Sequence, residues 1–94
     1  MNHLKISSGV LRKLAIKHAV TRQEVEQCFN NRSGRLLMDT RESHKTDPPT
    51  LWFIALINQS RMLKVVYIQI DFTIHLKSVF SPNETEIEIY SRFG

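Results

Sequence analysis

His75 and Lys77 stand two residues apart in the stretch Thr73 to Phe80, where Ile74, Leu76 and Phe80 alternate with His75, Lys77 and Val79. In a strand this spacing puts both basic side chains on one face. A histidine takes or gives a proton near neutral pH. A lysine beside it holds a phosphate or offsets negative charge while a phosphodiester is attacked. RNA carries its own nucleophile, the 2′-hydroxyl, so such a pair need only position the strand, move a proton and neutralise charge. The same alternation also suits a plain solvated strand face.

The other cations are grouped unevenly. Residues 1–50 hold nine basic and five acidic residues, while residues 51–94 hold four of each, so the net charge of +4 lies in the first half. Arg12, Lys13 and Lys17 fall on one side of an expected helix, Arg32, Arg35, Arg41 and Lys45 follow it, and Arg61 sits at an expected hairpin turn. Together they suit the backbone of a nucleic acid or an acidic protein partner. Interleaved aromatic residues for base stacking are mostly missing, since Trp52 and Phe53 lie in a wholly apolar run expected in the core.

Several chemistries are excluded. A chain of 94 residues, 41% hydrophobic, suits one domain over 1–94 with one core. It is too short for a (β/α)₈ barrel or a full dinucleotide fold. No phosphate-binding glycine loop, nucleophile elbow or His-Glu-x-x-His appears. His3, His18, His44 and His75 lack ligand spacing, and a single cysteine excludes an intrachain disulfide, so neither a metal nor another cofactor is expected. Cys28 lies on the apolar stripe of a helix and is expected in the core. The start at Met1 shows no signal-peptide pattern, and the longest apolar run, Leu51 to Ile57, is too short to span a bilayer as a helix. A cytoplasmic protein without membrane contact is expected.

The elements that must position these residues are partly legible. Val10, Leu11, Leu14, Ala15 and His18 line one face of a first helix capped by Ser7 or Ser8. Thr21-Arg22-Gln23-Glu24 is a capping box for a second, with Val20 and Val25 placed as a hydrophobic staple. Arg35 to Asp39 is a weak strand, and a short strand at Leu4-Lys5-Ile6 is a further candidate. Thr40 to Pro49 reads as a polar loop. Leu51 to Ile57 and Met62 to Ile70 read as covered strands, and Thr73 to Phe80 as a half-covered one. Turns are expected at Asn58-Gln59-Ser60-Arg61 and at Asp71-Phe72-Thr73. Ser81-Pro82-Asn83-Glu84 predicts a final helix, docked through Ile87, Tyr90 and Phe93. The expected fold is α+β: two N-terminal helices, an antiparallel three- to four-stranded meander sheet and a C-terminal helix.

With these residues in view, the chain resembles the BrnT-type toxins. Leu11 to Val25 is similar to the family's opening, in which a helix ending Lys-His-Gly-Val-Ser leads into a Glu-rich helix. Arg61-Met62-Leu63-Lys64-Val65-Val66-Tyr67 resembles its Gly-Arg-x-Leu-x-Val-Val strand, and Ile74-His75-Leu76-Lys77-Ser78 its Ile-Arg-Ile-Ile-Ser strand. Glu86 and Tyr90 match the Glu and Tyr of its last helix. The likeness runs over roughly residues 9 to 92. It departs where Val79-Phe80-Ser81 replaces Ala-Arg-Lys, so that Phe80 stands for an Arg implicated in the family's activity. His75 stands for an Arg on the last strand, and Ala19 and Asp71-Phe72 replace usual glycines.

The resemblance implies a RelE-like fold, metal-independent endoribonuclease activity and a type II toxin–antitoxin system with a cognate antitoxin. On this reading His75 transfers a proton, Lys77 and Arg61 stabilise charge, and Arg12, Lys13, Lys17, Arg35 and Arg41 bind RNA or the antitoxin. A homo-oligomer stays open. The alternative is a diverged, non-catalytic module that binds a protein or nucleic acid through the same basic surface.

Overall fold

The computed structural model describes residues 3–38, 48–58 and 61–94. Arg41, most of the expected polar loop, and Gln59 and Ser60 of the expected turn lie outside them.

The chain begins with a two-residue strand, β1 (Leu4–Lys5), and a short helix, α1 (Ser8–Lys13), which continues as a π-helical turn over Leu14–His18. Ser7 caps α1 by accepting a hydrogen bond from the Val10 N–H at 3.2 Å. The π turn ends at Ala19, whose φ of 52° and ψ of 45° are left-handed, a conformation that costs a non-glycine residue about 1–2 kcal/mol. Helix α2 (Arg22–Asn31) opens on the expected capping box: the Glu24 N–H donates to Thr21 Oγ1 at 3.2 Å, and the Thr21 N–H donates to Glu24 Oε1 at 3.0 Å. Val20 and Val25 on either side of this box are both buried.

Four further strands and a helix follow: β2 (Leu37–Met38), β3 (Thr50–Ile57), β4 (Arg61–Ile70), β5 (Thr73–Phe80) and α3 (Glu84–Phe93). The sheet order is β1-β5-β4-β3-β2. β2 to β5 pair antiparallel, but β1 lies parallel to β5, with Leu4 beside Ile74 and Lys5 beside His75. The antiparallel three- to four-stranded meander, and the RelE-like expectation that contained it, are therefore corrected to a mixed sheet of five strands among the described residues. The physical reason is that a parallel partner needs a long crossover. Here two helices and most of the sheet separate β1 from its neighbour, so the short strand expected at Leu4-Lys5-Ile6 gives no local sign of its partner or direction.

The first face of the sheet holds the main core. Phe53, Ala55 and Ile57 of β3, Leu63, Val65 and Tyr67 of β4, and Leu76 and Val79 of β5 pack against Leu14, Val25 and Cys28. Phe53, Phe29 and Tyr67 meet edge to face, with ring centroids 5.0–6.2 Å apart, the arrangement that aromatic quadrupoles favour.

The second face carries Trp52, Ile54 and Lys64, all buried, and is covered in part by α3. Trp52 thus lies outside the main core that the sequence assigns it to. The final helix also starts later than expected. Asn83, rather than Ser81, is the cap, and it forms the box with Glu86. β5 runs on to Phe80, so Ser81 and Pro82 are spent turning the chain. Tyr90 docks on Trp52 at 5.8 Å, but Ile87 is 38% exposed and Phe93 63% exposed, so neither anchors the helix as expected.

Candidate functional site

β4 and β5 pair in regular register from Lys64 opposite Phe80 to Val66 opposite Ser78, and again from Tyr67 opposite Leu76 to Ile70 opposite Thr73. Lys77 is left without a partner as the extra residue of a β-bulge. The bulge breaks the alternation assumed from the sequence. Leu76 and Val79, three residues apart, both face the main core, whereas strict alternation would separate them. His75 pairs across from Ile68 and so belongs to the second face, and Lys77 is exposed at the bulge beside it.

β1 adds a residue that the sequence pattern does not point to. Lys5 is in register with His75 on the parallel edge and is exposed. Neighbouring strands lie about 4.8 Å apart and paired residues share a face, so His75 has a lysine beside it across the strands and another two residues along its own. The N–H of Ile74 donates to the His3 carbonyl at 2.8 Å, which extends the β1–β5 contact to residue 3.

Arg61 is elsewhere. It opens β4, seven residues before the Ile68 that faces His75, roughly 23 Å along the strand and on the opposite face. Its guanidinium is engaged in holding the fold. Nη1 donates to Glu24 Oε2 at 2.8 Å and to the Ala19 carbonyl at 3.2 Å, and Nη2 donates to the His18 carbonyl at 2.9 Å. Glu24 therefore both closes the capping box and binds Arg61, and the arginine clamps the left-handed joint between the π turn and α2.

The helical cations are on the surface. Arg12, Lys13 and Lys17 are exposed along α1 and the π turn, with Ile16 exposed among them, and Arg35 is exposed between α2 and β2. His18 is half-buried, its ring 6.0 Å from that of Phe80.

A further cation lies under α3. Lys64 is only 8% exposed. Its Nζ is 4.4 Å from the centroid of Trp52 and 5.5 Å from that of Phe80, and it donates to Glu86 Oε2 of α3. A buried ammonium is tolerated where a carboxylate and aromatic faces replace its water. The sign of it in the sequence is a single lysine inside the apolar run Met62 to Ile70.

Cys28 is fully buried, and burial pushes its thiol up to about 11. A raised thiol pKa means that the unfolded chain, near 9.0, releases its proton first. Stability should therefore fall as pH rises from about 9 to 11 and be insensitive to this group below that window. Cys28 is expected to resist a maleimide at pH 7 in the native protein and to react once urea unfolds it; labelling in the absence of urea, followed by mass spectrometry, checks this.

Among the described residues no group of three or more His, Cys, Asp or Glu gathers to hold a metal ion. No described helix is long and apolar enough to cross a membrane. Set beside known proteins, the chain matches no family model, no curated protein and no solved structure.

Proposed function

We propose that this chain is a BrnT-like endoribonuclease toxin of a type II toxin–antitoxin system, acting on RNA in the cytoplasm without a metal and silenced by a cognate antitoxin. The observation that carries the reading is the register of β1 on β5, which sets Lys5 beside His75 next to the exposed bulge residue Lys77. His75 would take the proton of the 2′-hydroxyl. Lys5 and Lys77 would hold the phosphate and offset the charge that builds on its oxygens as the P–O5′ bond breaks. The P–O2′ bond would form as P–O5′ breaks, and the departing 5′ oxygen would take its proton from solvent water, giving a 2′,3′-cyclic phosphate and a 5′-hydroxyl. Arg12, Lys13, Lys17 and Arg35 would hold RNA or the antitoxin from the helical side. On this reading Arg61 would hold the fold rather than the phosphate, since its Nη1 and Nη2 donate to Glu24 and to the carbonyls of Ala19 and His18.

One observation favours a second reading, a binding module without catalysis. Phe80 stands where the family has an arginine, and its ring lies against Lys64 and His18 rather than offering a charge. Long RNA incubated with the purified protein in EDTA separates the two. The expected result is cleavage to cyclic-phosphate ends, slowed at least ~100-fold by His75→Ala with Lys77→Ala. Equal rates for parent and double variant would sink the site. Salt-sensitive binding with no cleavage would establish the module.

A further inference from the structure

The contacts between α3 and the sheet are of two kinds, a carboxylate on an ammonium and a ring tilted against a ring. Glu86 places a carboxylate on the Lys64 ammonium, where a phosphate would sit, and Tyr90 lays a ring against Trp52, where a base would stack. On this sheet face Lys64 and Trp52 lie against the helix, and the ring of Phe80 lies beside Lys64, a cation with two aromatic rings, the combination with which proteins hold unpaired nucleotides. His75 is on that same face. Its partner Ile68 is four residues along β4 from Lys64, roughly 13 Å or about two nucleotide steps in an extended strand.

The helix is lightly held. None of its residues is buried, and Ile87, Ile89 and Phe93 are each more than a third exposed. An element with so few buried contacts opens at low cost compared with the core.

We propose that α3 is a displaceable cover: single-stranded RNA replaces Glu86 on Lys64 and Tyr90 on Trp52, and its strand then runs along the sheet to His75. This rests on the reading of the chain as an RNA-binding protein. Free, the protein would hold its own RNA surface closed, and binding would require the helix to leave.

Trp52 is the only tryptophan, so its emission reports on the cover directly. The probe is a fluorescein-labelled, unstructured RNA of about ten nucleotides, with binding followed by anisotropy and Trp52 emission recorded in parallel. Glu86→Gln keeps an oxygen for the Asn83 cap and removes the charge from Lys64. Glu84→Gln, exposed on the same helix, makes the same change in net charge and sets the general electrostatic gain. The expected result is a shift of Trp52 emission on binding, faster amide exchange over residues 84–93, and at least fivefold tighter binding by Glu86→Gln than by Glu84→Gln. RNA bound with unchanged Trp52 emission and exchange, or equal affinities of the two variants, would overturn the cover and leave the RNA reading standing. RNA bound by none of the three proteins would overturn both.

Discussion

Phe53→Ala is expected to lower the unfolding free energy by about 3–5 kcal/mol, the usual cost of removing a large aromatic side chain from a packed interior. Phe53 has no exposed surface, sits in the central part of β3, and makes edge-to-face contacts with Phe29 of α2 and Tyr67 of β4. It therefore ties the helical layer to two strands at once. A domain of this length holds about 5–14 kcal/mol in total, so the loss is a large fraction, and the melting temperature should fall by about 15 °C or more. Phe53→Leu, which keeps most of the volume, should cost nearer 1–2 kcal/mol. Urea titration followed by circular dichroism measures both. A loss below about 1.5 kcal/mol for the alanine variant, on the scale of a tolerated core swap, would mean that the helices do not pack on this face as described.

Arg61→Ala is expected to cost about 2–3 kcal/mol, because hydrogen bonds to a charged group are the strong ones and their partners are left unmatched. The Glu24 carboxylate and the carbonyls of His18 and Ala19 all lose their donor together. The guanidinium is about a third exposed, and water's access to the site keeps the figure from being larger. Arg61→Lys should recover only part of it, since an ammonium cannot reach three acceptors in the fork geometry. RNA cleavage per folded molecule should be unchanged in both variants at a temperature where they remain native. A loss of cleavage at full stability would return Arg61 to the charge-stabilising role that its place in the sequence suggests.

What the sequence makes legible is local. The Thr21–Glu24 box, the staple of Val20 and Val25 and the buried Cys28 follow from residues within one or two turns of each other, where spacing alone fixes geometry. The start of α3 shows how that runs out. Ser81-x-x-Glu84 and Asn83-x-x-Glu86 are overlapping boxes with the same chemistry, and only the length of β5 decides between them. The site was less legible than the fold. Lys5 becomes a neighbour of His75 through a parallel pairing across most of the chain, and nothing near residue 5 announces it. Arg61 looks free because its partners, Glu24 and two carbonyls, lie about forty residues earlier. Trp52 looks like core because a strand covered on both faces does not reveal which cover is the thinner.

The bulge at Lys77 has a bearing on how this surface can vary. Every other position of β5 is bound by parity: inserting or removing one residue would exchange the core set, Leu76 and Val79, with the outward set. Lys77 is the position outside that count. Its backbone has already given up a place in the ladder, and its side chain is exposed. Residue 77 is therefore where the strand can change its chemistry without renegotiating the interior, a freedom that suits a residue kept for contact with something other than the protein itself.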